Sequence, residues 1–416
     1  MDIADMITRF DHHDPVIMAD PAEAYRRFRN ECPVGWSNVH QGFWVVSCYD
    51  DVLHAAGDAE QYCSGQGIAI PGTSTGARIE PQEADGPRHA QIRKQMNAWF
   101  ARGPVLAMRP AIEDLSASLL EQCRARITFD LAIDYAVPLA SLTMLRVLGI
   151  PIEYEGRLRK NLDAILHART EDESVVFGSY IELYECISEV LVGKQKGAEG
   201  NPGAEDDLIN KIMAVEIDGT PTTVAERVSM ILSLVLAGLE TSALAIASTA
   251  ACLIDQPELR DRLIADPRLI PKAIDEFLRF ISPVQAIGRR VTSQAQLGER
   301  TLNGGDQVLL LYGSANRDPA IFNEPDEIVL DRHPNRHVTF GYGVHRCLGH
   351  HVARLELDVA LRDMLGLLPA LAPQGRVEWS FGENRGIRSL PVTLVHEASD
   401  AVREHWGFRR ESLDEG

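Results

Sequence analysis

The stretch Phe340-Gly341-Tyr342-Gly343-Val344-His345-Arg346-Cys347-Leu348-Gly349 constrains this chain more than any other. It sets one cysteine at the end of a glycine-punctuated loop, and Leu348, Val352, Leu355 and Val359 follow at helical spacing. A cysteine at a helix start sits among unpaired backbone N–H groups and the positive end of the helix dipole. Both favour thiolate over thiol. The glycines let the backbone fold closely round the sulfur. The loop is therefore expected to present a thiolate, either as a nucleophile or as a metal ligand. The competing reading is a buried structural cysteine.

The rest of the composition narrows the setting. Seven cysteines, an odd number with no CxxC pair, argue against a disulfide framework or a zinc-finger site and suit a reducing cytosol. A formal net charge of −19 argues against nucleic acid as a partner. The first residues, Met1-Asp2-Ile3-Ala4-Asp5, are acidic and lack the apolar run of a signal peptide or anchor. Length alone suggests two or three domains. No Gly/Ser- or Pro-rich linker cuts the chain into comparable parts, so a single domain over 1–416 is expected, with 1–14 and 397–416 peripheral or frayed.

Periodicity places a hairpin over 34–46, helices over 87–100, 108–126, 139–148, 155–167 and 174–192, and a long helix starting at Thr223. Pro257 and Pro271 each open a further helix. Residues 64–86 read as a long binding loop, and 193–207 as a polar loop. The segment from Met230 to Ile254 is apolar enough for a membrane span, but Glu240 and Thr241 in its middle favour a buried central helix. The coarse picture is mainly α with a minor β portion near each end.

Three further patterns carry chemistry. Glu276 and Arg279, at i and i+3, suit a local ion pair between Ile274 and Phe280. Ala237-Gly238-Leu239-Glu240-Thr241 puts an acid and an alcohol together in an apolar run, beside two small residues that leave room next to the backbone. A helix-packing notch with an internally bonded Thr241 is the plainer reading of that run. His89, Arg93, Arg289 and His345 would suit a ligand carrying carboxylates if the fold brings them together.

Together these motifs resemble the cytochrome P-450 family, of the soluble bacterial kind. Phe340-Gly341-x-Gly343-x-His345-x-Cys347-x-Gly349 matches the haem-binding signature, Glu276-x-x-Arg279 the ExxR motif, and Ala237-Gly238-x-Glu240-Thr241 the oxygen-binding motif. Ala315-Asn316-Arg317-Asp318-Pro319 and Asp331-Arg332-His333-Pro334-Asn335 resemble later segments. The resemblance implies a mainly α fold with minor β, holding haem b between a long central helix and the helix after the cysteine loop. It implies that Cys347 is the axial ligand of the haem iron, within a cofactor site that includes Phe340, Gly341, Gly349, Ala237 and Gly238. His89, Arg93, Arg289 and His345 would bind the haem propionates. Glu276, Arg279 and Arg332 would form a buried structural triad. Thr241 and Glu240 would organise the water that delivers protons during dioxygen reduction.

The implied activity is a monooxygenase placing one atom of O2 into a small or medium apolar molecule, with hydroxylation the default. Its electrons would come from NAD(P)H through a separate ferredoxin or flavodoxin, docked on a basic patch of Arg88, Arg93, Lys94, Arg102, Arg336, Arg346, His350 and Arg354. Ile68, Ile70, Ser233, Leu236, Val284, Gln285, Ile287 and Ile387 would form the substrate pocket, with Ala237 and Ala286, and Arg78 or Arg388 would receive an acid. A cytoplasmic monomer without membrane anchor is expected. A peroxide-driven peroxygenase of the same fold is the alternative, though it usually lacks the acid–alcohol pair; a non-catalytic haem sensor and a haem-free thiol enzyme are more remote.

Overall fold

The computed structural model describes residues 3–72, 78–167, 172–200 and 207–395. Its axis is the helix Val224–Asp255. Thr223 starts it: the hydroxyl accepts from the Glu226 N–H, and the Glu226 carboxylate accepts from the Thr223 N–H in return. Such a cap is worth about 1 kcal/mol. From Ser242 to Asp255 every residue is buried, so the sequence there is apolar or small on all sides. This is the one helix among the described residues long and apolar enough to cross a membrane, and most of it lies inside the protein.

Helices Val137–Leu148, Glu173–Gly200, Ile270–Ile281 and His350–Leu365 pack against this axis. Beside the helical mass, strands Val34–Ser37, Phe43–Val46, Gln307–Leu311, Ala286–Val291 and Tyr62–Cys63 form a five-stranded sheet in that order. The first pair is the expected hairpin, turned by His40, Gln41 and Gly42, all with positive φ. Gly42 is required there, because a Cβ would come within 2.2 Å of the Trp36 ring. The helices and sheet agree with the expected mainly α architecture with minor β.

Two expectations need correction. Residues 193–200 continue the helix Glu173–Gly200 rather than forming a loop; Val190 and Leu191 are buried just before them, and Lys194 donates to Asp207. The rest of that expected loop, 201–206, lies outside the described residues, as does 397–416. Residues 1–14 are not peripheral where described. Met6 and Phe10 are buried, and Phe10 meets the Phe28 ring edge-on at 5.0 Å. Beyond the expected elements, Ala295–Leu297 and Arg300–Leu302 pair as a small hairpin. Its strands are three residues long, too short for alternation to reveal.

Candidate active site

The Glu276-Arg279 spacing lies on the helix Ile270–Ile281, and both side chains are fully buried. Arg279 Nε and Nη2 each donate to a Glu276 oxygen at 2.8 Å. Arg332 Nε donates to the same carboxylate at 2.9 Å, the Val329 N–H at 2.8 Å and Asn335 Nδ2 at 3.1 Å. Arg279 also reaches the carbonyls of Asn316, Pro325 and Glu327. Burial alone would raise the Glu276 carboxyl; Arg279, Val329 N–H and Arg332 outweigh it and hold the group below its ordinary range. Glu276 thus ties one helix to three points in the irregular segment that leads to the cysteine loop.

In that loop Gly341 and Gly343 have positive φ. A Cβ at Gly343 would come within 2.8 Å of the Ala56 carbonyl oxygen, so the loop packs directly on the backbone of another helix. The Cys347 N–H donates to the Phe340 carbonyl at 2.8 Å, closing the loop. The following helix begins at His350 rather than at Leu348. The electrostatics also differ from the sequence expectation. Burial of the sulfur pushes the Cys347 thiol up, against the Gly349 N–H and the charges of Arg93, Arg354 and Arg346. The site therefore does not present a free nucleophilic thiolate; a bound metal ion would displace the proton.

Cys347 opens into a cavity of about 330 Å³ between the central helix and the helix His350–Leu365. Ala237, Gly238 and Thr241 border the same cavity, as do Phe340, Gly341 and Gly349. Thr241 Oγ1 donates back to the Ala237 carbonyl at 2.8 Å. Glu240 accepts from Asn384 Nδ2 at 2.8 Å. Gly238 allows a close helix approach: a Cβ there would come within 2.0 Å of Met144 Cε. The internally bonded threonine and packing notch foreseen as the plainer reading are thus both present, at the cavity wall.

The four scattered bases converge. His89, Arg93, Arg289 and His345 all line this cavity. The His89 and His345 rings are 4.2 Å apart. His89 Nε2, Arg93 Nε and His345 Nε2 are buried without a hydrogen-bond partner. Burial and the neighbouring guanidinium groups push His89 down to about 4 and His345 down to about 3. Unpartnered buried polar groups gathered on one cavity suit an anionic ligand.

Of the expected substrate residues, Ile68, Ser233, Leu236, Val284 and Ile287 line the cavity, with Ala237 and Ala286; Ile70, Gln285 and Ile387 do not. Ile70 is buried among Phe10, Phe28 and Phe43. Gln285 is held in the interior, accepting from Tyr25 Oη at 3.0 Å and donating to the Ile281 and Ser282 carbonyls. Ile387 sits on strand Gly386–Ser389, its N–H bonded to Ser248 Oγ. Arg388 lies 3.9 Å from Glu378 instead of facing the cavity, and Arg78 is exposed. The cavity also takes in Met144, Leu166, Tyr180 and Glu356, from helices whose sequence gave no chemical signal. Glu356 is 2% exposed, and burial pushes its carboxyl up to about 8 against a hydrogen bond with Ser242.

Comparison with known proteins agrees with this geometry. A family model described as cytochrome P-450 matches residues 183–387. A Streptomyces griseolus cytochrome P-450 is 31% identical over 90% of this chain and 93% of its own length. The chain belongs to the cytochrome P-450 family. A Streptomyces fradiae 20-oxo-5-O-mycaminosyltylactone 23-monooxygenase is 29% identical over 85% of the chain and 84% of its own. The structure of a Mycobacterium marinum cytochrome P-450 in complex with pseudoionone superposes with a TM-score of 0.83 at 26% identity, covering 92% of this chain and 99% of that one.

As a cytochrome P-450 the chain is a haem-thiolate monooxygenase, with haem b as cofactor and O2 and redox-partner electrons as co-reactants. The donor set fits that cofactor: a cysteine sulfur at one wall and buried, unpartnered cationic or imidazole groups at another, around a largely apolar cavity. A proton linkage follows. In the haem-free chain, His89 and His345 bind fewer protons than in the unfolded chain between their lowered pKa values and 6.5. Their neutral forms favour folding fully above 6.5, and that contribution is lost as the pH falls through about 4 and about 3. If haem sets its two propionates beside them, both pKa values rise, so at about pH 5.5 the histidines take up protons against the one that Cys347 releases to the metal. Calorimetric titration of the haem-free parent and of His89→Gln in two buffers of different ionisation enthalpy measures the histidine share; an equal proton change in the two would contradict it.

Proposed function

We propose that Cys347 holds the haem iron, with His89, Arg93, Arg289 and His345 binding the propionates, and that the enzyme oxidises a small or medium apolar substrate, hydroxylation being the default outcome. The observation that carries this reading is the meeting of Cys347, Thr241 and the four bases on one cavity. Haem, when bound, supplies the dioxygen chemistry. This chain's residues do the rest. Ile68, Leu236, Val284, Ala286 and Ile287 exclude water and favour apolar groups, and Ser233 offers one polar contact. The Mycobacterium marinum relative was solved in complex with pseudoionone, an apolar organic ligand of that kind.

Thr241 lies in the cavity wall, and Glu240, before it on the same helix and off the cavity lining, works with it to deliver protons: Glu240, steadied by Asn384, exchanges with water, and the Thr241 hydroxyl turns from the Ala237 carbonyl to hold it. Glu356, its carboxyl pushed up to about 8 and bonded to Ser242, is a second proton store on the same cavity. Thr241→Ala is expected to lower product formed per NAD(P)H by about tenfold, ~1.4 kcal/mol on the productive branch, while NAD(P)H is still consumed. Unchanged coupling would remove this role. Measuring turnover with peroxide beside turnover with ferredoxin and NAD(P)H separates the monooxygenase from a peroxygenase.

Electrons come from a separate ferredoxin or flavodoxin. Its docking surface is the face around the cysteine loop, where Lys94, Arg102, Arg336 and Arg346 are exposed. Four members of the sequence-based patch are engaged elsewhere: Arg93 lines the cavity and donates to the Arg346 carbonyl, and His350 Nδ1 lies 3.0 Å from the Cys347 carbonyl. Arg88 donates to Glu80 and Glu226, and Arg354 donates to Asp275 at 2.8 Å. We place the enzyme in the cytoplasm as a single-domain monomer, a reading supported by its cysteine usage and by the burial of its one long apolar helix.

A further inference from the structure

A second cluster of ligating side chains lies outside the haem cavity. The turn between helices Ile3–Thr8 and Pro15–Ala19 carries His12 and His13. The turn between strands Glu378–Ser380 and Gly386–Ser389 brings Glu383 against them. One ligand atom from each of the three lies within 4.8 Å of the other two. His12 Nε2 is 3.8 Å from one Glu383 oxygen, and His13 Nε2 is 3.7 Å from the other. His12 is 0% exposed, and neither of its ring nitrogens has a hydrogen-bond partner. A buried polar group left so costs on the order of 1–3 kcal/mol, unless a ligand satisfies it.

We propose that His12, His13 and Glu383 form a binding site for a divalent transition-metal ion, zinc by preference. Two imidazoles and one carboxylate are a donor set for zinc rather than for calcium or magnesium, which take oxygen ligands. Tetrahedral zinc with these donors sets ligand atoms about 3.4 Å apart. Each imidazole nitrogen stands within about 0.4 Å of that separation from its own Glu383 oxygen, and a turn of the carboxylate presents one oxygen to both. His13 Nε2 donates to the Ile70 carbonyl at 3.1 Å; on binding the ion it gives up that proton, and the freed carbonyl oxygen offers a fourth donor. The turn is shaped for close approach: Gly382 has φ +116°, and a Cβ there would come within 2.8 Å of His13 Nδ1. Beside the site, Asp11 and His40 pair at 3.1 Å and brace the same turn.

The ion would join the amino-terminal turn to the rim of the haem cavity. Glu383 and Asn384 both border that cavity, and Asn384 holds Glu240. The Glu383 carbonyl also accepts from the Gln285 N–H at 2.7 Å. Zinc bound here steadies the turn that positions Asn384.

The test is calorimetric titration of zinc chloride into the full-length, haem-loaded enzyme after chelator treatment, with thermal unfolding and zinc-edge X-ray absorption on the titrated sample. One saturable equivalent is expected, with a rise in Tm and a shell of nitrogen and oxygen only. Glu383→Gln, on a partly exposed turn, should keep the fold and lose at least about tenfold in affinity together with the Tm rise. His12→Gln should do the same. Absence of a saturable equivalent, equal affinity in Glu383→Gln, or sulfur in the zinc shell would overturn the proposal; the last two would place zinc at the cysteines or at surface histidines such as His350 and His351.

Discussion

Cys347→Ser is expected to abolish the red-shifted band of the reduced CO-bound enzyme and to lower monooxygenase turnover by on the order of a thousandfold, ~4 kcal/mol on the barrier. The argument is electronic and local. A thiolate donates electron density to iron in a way that favours O–O cleavage, and a serine oxygen does not replace it. Six other cysteines are present, but Cys347 is the only one bordering the cavity among the described residues. Cys123, Cys186 and Cys252 are buried elsewhere, with thiols pushed up by burial. No substitute thiolate is therefore available. Far-UV circular dichroism and pyridine haemochrome content distinguish loss of the ligand from loss of fold or cofactor. A variant that keeps both haem and the red-shifted band would show that Cys347 is not the ligand.

Glu276→Gln is expected to destabilise the fold by about 3–5 kcal/mol and to release haem, with no group in contact with substrate altered. The carboxylate faces two guanidinium groups in the interior. Neutralising it leaves Arg279, fully buried, beside Arg332 with no counter-charge. The carbonyls of Asn316, Pro325 and Glu327 still accept from Arg279, which limits the loss without cancelling it. The denaturation midpoint should fall in urea followed by circular dichroism, and haem should transfer faster to an apo-globin acceptor. A midpoint within error of the parent would mean that the network is decorative, and that the segment before the cysteine loop is held by other contacts.

Much of the site was legible because its chemistry is written in short, local patterns. The glycines of the cysteine loop are needed at particular backbone positions, and the Glu276-Arg279 spacing puts both groups on one helix face. Thr223, Pro257 and Pro271 mark helix starts through capping and missing donors that do not depend on distant residues. Less was legible wherever the answer depended on what a side chain meets across the molecule. Gln285 looked like a substrate contact by its place in the chain, yet Tyr25 and two carbonyls take it into the interior. Arg88 looked like part of a docking patch until Glu80 and Glu226 claimed it. Glu356 carried no signal, since an isolated glutamate in a helix reads as solvated until burial removes the water.

The sequence by itself held the motifs whose resemblance to the cytochrome P-450 family implied the haem-thiolate class and the mainly α architecture, and it singled out Cys347 among seven cysteines, because such motifs are residue types at fixed short spacings. Only the tertiary structure decided that His89, Arg93, Arg289 and His345 meet on one cavity, that the Cys347 thiol is raised rather than lowered, and that His12 stands buried beside Glu383. The physical reason is the same in each case. Desolvation and unmet hydrogen-bonding capacity are properties of a three-dimensional environment, and residues separated by hundreds of positions acquire them only when the fold removes the water between them.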